Sequence, residues 1–249
     1  MKKTLVTTII TAAALSFGAF ADDVSKSNIS KRLQTITPFS VQSVKDSVVD
    51  GLYEVVTGKG IFYTTKDGNY LFSGSIHEFK PGLRNITSER KAEMASADID
   101  KLRSSFVTYK APNEKHEVLV FFDTSCGYCR KMHDEMSQYN AAGITVHYAM
   151  YPRNGVSKPS ANGDIFTPTY NSMMNVVCSD NPSTTMDMVM RGTNVAPKSC
   201  SNSIKEHYEL GSALGVRGTP AVYGMDGKSV MGGYAPAKAL LQKLNEIKG

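Results

Sequence analysis

The feature that most constrains this chain is a pair of cysteines that follows an apolar segment. Val118–Phe122 is an unbroken apolar run, which is typical of a strand covered on both faces. Cys126-Gly127-Tyr128-Cys129 comes next, and the residues from Cys126 to about Tyr139 are predicted to form a helix. Unpaired N–H groups and the dipole at a helix N-terminus stabilise a thiolate. The pattern therefore predicts a redox-active dithiol in which Cys126 attacks disulfides.

Three other interpretations of this motif are less well supported. A c-type haem requires histidine directly after the second cysteine, where this chain has Arg130. Zinc would need a fourth ligand beyond the two cysteines and His133, and no second CxxC motif or nearby histidine pair supplies one. His133 is instead predicted to be a solvent-facing or capping side chain. An inert disulfide rarely lies between a strand and a helix start, so we expect no metal and no cofactor apart from the dithiol itself.

The first 21 residues have the pattern of a secretory signal peptide. Two lysines precede the uncharged run from Leu5 to Phe20, and Ala19-Phe20-Ala21 fits a cleavage site. The uncharged run is shorter than the about 20 residues that span a membrane, so a signal peptide is favoured over an anchor. We therefore expect an exported protein in a compartment where thiols can be oxidised. The short lysine region fits the bacterial periplasm, although a eukaryotic secretory destination stays open.

Charge and cysteine content exclude two classes of protein. The chain has 28 basic and 23 acidic residues, a net charge of +5, and removal of Lys2 and Lys3 with the leader lowers this to +3. That surplus is too small to indicate nucleic-acid binding. Four cysteines among 249 residues are too few for a disulfide-dense scaffold.

The region 22–86 is predicted to be a mostly stranded N-terminal α+β domain. Leu52–Thr57, Ile61–Thr65 and Tyr70–Ile76 are rich in β-branched and aromatic residues, and Asp67-Gly68 between two of them indicates a hairpin. A domain of about 65 residues buries only a small core. Oligomerisation is one way to supply the missing burial.

A helix over 87–108 and an α/β domain over 109–249 follow. The helix is predicted from apolar residues at intervals of three and four: Ala92, Ala95, Ile99, Leu102 and Phe106. It either links the two domains or belongs to the second. In the second domain strands and helices alternate, which predicts a mixed sheet. A helical insertion over about 152–210, with one helix near Tyr170–Arg191, interrupts that alternation.

The remaining cysteines and one proline are less specific signals. Cys178 and Cys200 lie 22 positions apart, and proximity favours their pairing with each other among the three possible connectivities of four cysteines. That pairing would be structural. Gly218-Thr219-Pro220 precedes the predicted strand Ala221–Tyr223, where a proline is ordinary.

Taken together, these motifs resemble a known family. A strand–CGYC–helix unit followed far downstream by Gly218-Thr219-Pro220 is similar to the thioredoxin-fold oxidoreductases. Four further segments resemble the DsbC/DsbG family of periplasmic thiol:disulfide isomerases: Tyr109–Pro112, Tyr139-Asn140, Gly143–Val146 and Gly215–Val222. The resemblance covers nearly all of the catalytic half and is weaker over the first half.

The resemblance implies an architecture and roles for individual residues. It implies a V-shaped homodimer with paired N-terminal domains, Cys126 as the nucleophile and Cys129 as the resolving thiol. A cis Thr219–Pro220 bond and Tyr128 would contact an extended substrate, and Cys178–Cys200 would be the second, structural disulfide. The implied clients are misoxidised exported proteins, with chaperone activity towards them. The implied reducing partner is the inner-membrane protein DsbD.

The chain departs from the family pattern at three places. Arg130 stands where the family has histidine, Val177 stands where it has tryptophan, and Ser157–Pro168 resembles an insertion. None of these changes touches the sulfur chemistry, although Arg130 would shift the redox potential and the insertion would reshape the rim of the cleft. Two other functions stay open. One is a dithiol oxidase, which would use the same residues. The other is a chaperone that holds unfolded clients in an apolar cleft and for which the CxxC motif is incidental.

Overall fold

The computed structural model describes the backbone of residues 17–248 and the side chains of residues 26–247. Most of the predicted signal peptide, residues 1–16, lies outside the described residues. The chain divides into two compact units, Met1–Gly74 and Ser75–Gly249. Within the described residues, no helix is long and apolar enough to cross a membrane.

The first unit contains a helix and a four-stranded antiparallel sheet. Helix α1 (Phe17–Ile36) comes before strands β1 (Val41–Asp46), β2 (Leu52–Thr57), β3 (Gly60–Thr65) and β4 (Leu71–Phe72), which pair in that order. Strands β2 and β3 agree with the prediction, β4 is shorter than the expected 70–76, and β1 was not predicted.

Helix α1 was not predicted, and the expectation of mostly strand is wrong over residues 22–36. The side chains of Ile29 and Leu33, four residues apart, are buried with Tyr53 and Val55 in one small core. Much of the helix is polar, so its apolar stripe is too sparse to be recognised from the sequence.

Helix α2 (Ile86–Leu102) belongs to the second unit. The Asn85 side chain caps its N-terminus by accepting a hydrogen bond from the Ser88 amide at 2.9 Å, and Ala92, Ala95 and Ile99 are buried. The predicted helix over 87–108 ends early. A short 3-10 turn follows, and then β5 (Val107–Tyr109) pairs with a strand of the second sheet.

The second sheet has five strands in the order β11-β10-β6-β7-β5. At its centre, β6 (His116–Phe122) and β7 (Ile144–Met150) run parallel, with Phe122 opposite Met150. Strand β10 (Ala221–Gly224) runs antiparallel to β6, and the edge strand β11 (Ser229–Met231) runs antiparallel to β10. At the other edge, β5 runs antiparallel to β7. This arrangement is the mixed sheet that the sequence predicts.

Helices cover both faces of this sheet, and apolar clusters lie on each side. Two of the predicted helices are each broken into two, near Glu135 and between Val177 and Pro182. A two-stranded hairpin, β8 (Ser157–Lys158) and β9 (Ile165–Phe166), follows β7 in the sequence and precedes the helices of the insertion. The remaining helices are α3 (Gly127–Asp134), α4 (Met136–Ala141), α5 (Pro168–Val177), α6 (Pro182–Met190), α7 (Ile204–Leu214) and α8 (Ala237–Lys248).

Candidate active site

Cys126 lies at the N-terminus of α3, four residues after the end of β6. It is the N-cap residue with an extended backbone (φ −87°, ψ 125°), and its carbonyl accepts the first helical hydrogen bond from the Arg130 amide at 3.0 Å. Cys129 follows one turn later and is fully buried. Both thiols are free in this structure, so the site is in its dithiol form.

The loop that precedes β10 contacts Cys126. The Thr219–Pro220 peptide bond is cis, and the thiol of Cys126 donates a hydrogen bond to the Thr219 carbonyl oxygen at 3.1 Å. The hydroxyl of Thr219 is buried and has no hydrogen-bond partner among the described residues. The structure thus brings Thr219 and Pro220 to the sulfur, although they are 93 and 94 positions away in the sequence.

The environment of Cys126 lowers its pKa. Burial is the largest single effect and opposes ionisation, but the Thr219 side chain, the Cys129 thiol and the backbone amides of Cys129 and Tyr128 together outweigh it. These are the donors expected around a charge at a helix N-terminus. The Thr219 hydroxyl, which lacks a partner while the sulfur is a thiol, therefore becomes a donor to the thiolate.

Cys129 has the opposite character. Burial raises its pKa far above the usual thiol range, and only partial relief comes from the Asp123 amide, which donates to its sulfur at 3.5 Å, and from the Thr219 side chain. One thiol is therefore poised to ionise and the other is held protonated. Such a difference assigns distinct chemical roles to two cysteines of one motif.

A buried carboxylate supports the loop before Cys126. One oxygen of Asp123 accepts hydrogen bonds from the amide and hydroxyl of Ser125, at 2.7 and 2.6 Å. The other accepts from the amide and Nε of Arg153, at 2.9 and 3.1 Å. The sequence motifs do not predict this pair. The available signal was an acidic residue that ends an otherwise apolar strand three positions before the cysteine.

Tyr128 is the exposed aromatic residue at the site, with 65% of its surface accessible. Its ring stacks on Tyr234 with centroids 6.2 Å apart, and Lys131 Nζ lies 4.7 Å from the centroid of the Tyr234 ring. The Tyr234 hydroxyl donates to the carboxylate of Glu135 at 2.7 Å. Tyr128 is thus held by Tyr234 while most of its surface stays exposed.

His133 is buried, so its predicted solvent-facing position is wrong. It lies four residues after Cys129, on the same buried helix face, and its Nε2 is 3.1 Å from the Asp187 carboxylate. Burial lowers its pKa, and Asp187 only partly offsets this. Next to the motif, the guanidinium of Arg130 donates to the Met190 carbonyl at the end of α6 and so ties the insertion to α3.

The second cysteine pair lies apart from this chemistry. Cys178 and Cys200 form a disulfide that joins the end of α5 to the segment before α7. In the part of the chain that the structure describes, no group of three or more histidine, cysteine or acidic side chains is arranged to hold a metal.

Comparison with known proteins identifies the family. The model of a thioredoxin-like domain matches residues 102–248, and that of the disulfide bond isomerase N-terminal domain matches residues 19–88. The thiol:disulfide interchange protein DsbC of Dickeya dadantii is 36% identical over 251 aligned residues, covering 100% of this chain and 97% of that protein. The chain belongs to the DsbC family. DsbC of Escherichia coli K12 is 35% identical, covering 94% of this chain and 92% of that protein.

Membership of the DsbC family confirms the predicted fold class and class of activity. The fold is an N-terminal α+β domain followed by a thioredoxin-like α/β domain with a helical insertion. The protein is a thiol:disulfide oxidoreductase. Among solved structures, a disulfide interchange protein from Neisseria gonorrhoeae is 22% identical with a TM-score of 0.47, covering 57% of this chain and 95% of that one.

Proposed function

We propose that this protein is a periplasmic isomerase that reshuffles or reduces wrong disulfides in exported proteins through its CGYC motif. The observation that carries the proposal is the difference between the two thiols. Cys126 has a lowered pKa at a helix N-terminus, whereas Cys129 is fully buried with a raised pKa. A mixed-disulfide mechanism needs one thiol that ionises readily to attack the client and a second thiol that stays protonated until the mixed disulfide has formed.

In the first step the Cys126 thiolate attacks one sulfur of a client disulfide. A new bond forms between Cys126 and that sulfur, the client S–S bond breaks, and its electron pair leaves on the second client sulfur as a thiolate. In the lowered-pKa environment of Cys126 the attacking form is available without a separate base. The product is a mixed disulfide between enzyme and client.

Two routes release the client. A different client thiolate attacks the mixed disulfide, forms a new client disulfide and returns Cys126 as a thiolate, with no net change in oxidation state. Alternatively Cys129 loses its proton and attacks Cys126, so that the motif becomes a disulfide and the client gains two electrons. The second route needs a dithiol reductant afterwards, and the membrane protein DsbD is our proposed supplier.

The cis-proline loop positions the client chain. In the dithiol form the Thr219 carbonyl accepts a hydrogen bond from the Cys126 thiol, with sulfur and oxygen 3.1 Å apart. In the mixed disulfide Cys126 has no proton to donate, so this carbonyl is free to accept an N–H from an extended client. Pro220 lacks an N–H that would compete, and Tyr128 offers an exposed ring beside the same sulfur.

We propose that the N-terminal unit makes the protein a homodimer. Strand β4 lies at the edge of its sheet, with one side unpaired in the described chain, and Tyr70, Leu71 and Phe72 there are exposed. An exposed apolar edge strand is a template for pairing with another chain. A second copy presents the same strand, so pairing of β4 with β4 would close both edges.

The dithiol carries the two electrons, so the proposed reaction needs no cofactor or metal. The predicted leader peptide, residues 1–21, would deliver the chain to the periplasm, where wrong disulfides arise. We also propose that the protein holds unfolded clients, since an isomerase must bind chains whose apolar side chains are exposed.

Single-cysteine variants test the proposed chemistry. We expect Cys129→Ser to accumulate mixed disulfides with clients and Cys126→Ala to form none. Adducts that persist in Cys126→Ala would exclude Cys126 as the attacking thiol.

A refolding assay tests the isomerase role. Purified protein should restore activity to a ribonuclease whose disulfides have been scrambled. A dithiol oxidase would not rescue that client. Thiol trapping in cells should find the motif reduced; a fully oxidised motif would refute the isomerase role.

A further inference from the structure

The hairpin formed by residues 157–166 carries apolar side chains to the surface of the second unit. Its strands β8 and β9 pair through Ser157–Phe166 and Lys158–Ile165. Ile165 and Phe166 expose 48% and 51% of their surface. This hairpin lies in the segment Ser157–Pro168 that resembles an insertion relative to the family, so it is a feature of this chain that the family's common chemistry does not require.

The topology of the sheet places the base of the hairpin beside the active site. Strands β6 and β7 are parallel and end opposite each other at Phe122 and Met150, so the segments that follow them leave from the same edge. The first segment leads to Cys126, and the second leads to the hairpin. Arg153, which precedes the hairpin, binds the Asp123 carboxylate just before Cys126 through its amide and its Nε.

Specific contacts hold the hairpin in place. The Thr167 amide and hydroxyl donate to the carbonyls of Val156 and Gly155, at 3.0 and 2.8 Å, and close its base. The ring of Phe166 stacks on that of Tyr170 with centroids 4.4 Å apart. Tyr170 is buried in the same apolar cluster as Cys126 and Cys129. Phe166 therefore packs on a residue of the apolar core, while half of its surface stays exposed.

We propose that this hairpin is a docking surface for the client segment that flanks the cysteine bound to Cys126. The occupant is an extended chain with apolar side chains close to its cysteine. This inference rests on the proposed function, because it concerns the client held in the mixed disulfide. Arg153 joins the segment before the hairpin to Asp123, three residues before Cys126, so the hairpin and the nucleophile leave the same edge of the sheet.

The chemistry of the hairpin favours an apolar occupant over a charged one. Its two charged residues, Lys158 and Asp164, are of opposite sign and leave no net charge to select a partner. A short two-stranded hairpin buries little of its own surface. Covering Ile165 and Phe166 removes apolar surface from water, and an unfolded client exposes the side chains that can do so. Such a surface would select misfolded chains over native ones.

Two peptides that differ only in the residues around one cysteine test the proposal. One peptide carries leucine and phenylalanine beside the cysteine, and the other carries serine and glycine; each is supplied as its glutathione mixed disulfide. We expect the wild-type protein to react with the apolar peptide at a kcat/KM about fivefold higher than with the polar one, equivalent to about 1 kcal/mol. In the double variant Ile165→Ser, Phe166→Ser the two peptides should react equally.

Controls separate docking from folding and from sulfur chemistry. Ile247→Ser removes a similarly exposed isoleucine from α8 and should keep the preference. Ile165→Ser alone keeps the Phe166–Tyr170 stack and should lose part of the preference for the apolar peptide. Oxidised glutathione, whose cysteines have no apolar neighbours, should react equally with every variant. A preference that survives the double substitution would overturn the proposal.

A version of the apolar peptide with serine in place of cysteine tests docking without any disulfide exchange. We expect it to bind the wild-type protein more tightly than the double variant in fluorescence anisotropy. Equal binding would refute the docking surface. If the peptide binds as expected but no disulfide reacts with wild-type protein, the proposed function fails and the docking surface stands.

Discussion

The thiol of Cys126 lies 3.1 Å from the carbonyl oxygen of Thr219, and the hydroxyl of the same threonine is buried without a partner. The carbonyl suits the protonated sulfur, which donates to it. The hydroxyl suits the thiolate, which accepts from it and whose formation it favours by lowering the pKa. One residue thus provides a separate hydrogen-bonding group for each protonation state of the nucleophile.

Replacement of Thr219 by valine should raise the pKa of Cys126. The substitution keeps the branched shape and the carbonyl but removes the donor, and a hydrogen bond to a charged group contributes about 1.5 kcal/mol. We therefore expect the acid dissociation constant of Cys126 to fall about tenfold, measured by titrating the ultraviolet absorbance of its thiolate. Thr219→Ser retains a hydroxyl and should stay close to the wild type. An unchanged pKa in Thr219→Val would show that the backbone amides alone stabilise the thiolate.

The two thiols should titrate in well-separated pH ranges. The pKa of Cys126 is lowered and that of Cys129 is raised, so alkylation at Cys126 should become fast below the usual thiol pKa of about 8.5. Cys129 should remain unreactive across the same range. Rates of reaction with iodoacetamide, measured on Cys129→Ser and Cys126→Ser, report each thiol separately. If the two variants gave superimposable pH profiles, the assignment of roles would be wrong.

The central site could be predicted because its signals are local in the sequence. Cys126 and Cys129 lie within one helical turn, and the preceding strand is an unbroken apolar run. Thr219 and Pro220 were identified only through the family resemblance, because a proline before a strand has an ordinary structural explanation. No local pattern reports that a loop more than 90 positions away contacts the sulfur.

The supporting residues could not be predicted because their partners are distant in the sequence. Asp123 meets Arg153 across 30 positions, and His133 meets Asp187 across 54. Each partner taken alone is typical of a solvated surface residue. Only the parallel pairing of β6 with β7, and the packing of α6 near α3, bring these side chains together.

Removal of the second disulfide should lower stability without changing the chemistry of the CGYC motif. Cys178 and Cys200 close a loop with a sequence separation of 22 residues. The chain-entropy model gives about 3 kcal/mol for such a loop. We expect the double variant Cys178→Ala, Cys200→Ala to unfold at lower urea concentration while Cys126 keeps its alkylation rate. A large fall in that rate at temperatures where the variant is folded would show that the disulfide shapes the active site.

Helix α7 should not tolerate even one added methyl group at Gly211. A Cβ there would lie 2.7 Å from ring carbons of Tyr151 and 2.8 Å from a ring carbon of Phe121. Glycine to alanine normally favours a helix by about 1 kcal/mol, but overpacking of a core costs about 1–3 kcal/mol. We therefore expect Gly211→Ala to lower the free energy of unfolding. Gly232→Ala, just after β11 and outside any helix, where a Cβ meets nothing within 4 Å, is the control for an added methyl group. An equal loss at both sites would contradict close packing at Gly211.

His207 should make the folded protein sensitive to acid. The Met150 amide donates to its Nδ1 at 3.2 Å, so Nε2 carries the proton and donates to the Ser105 hydroxyl at 2.8 Å. Burial lowers the pKa of this histidine from 6.5 to about 4, because the charged form would be desolvated. Protonation at Nδ1 would also break the hydrogen bond from Met150.

The unfolded chain therefore binds a proton at this position before the folded chain does. The folded state is most favoured above pH 6.5, its stability declines as the pH falls from 6.5 to about 4, and the loss reaches about 3 kcal/mol. Urea unfolding across this range measures the loss. His207→Gln cannot take up a proton, so its stability should decline less steeply with acid than that of the wild type. Parallel pH profiles for the two proteins would place the acid sensitivity elsewhere.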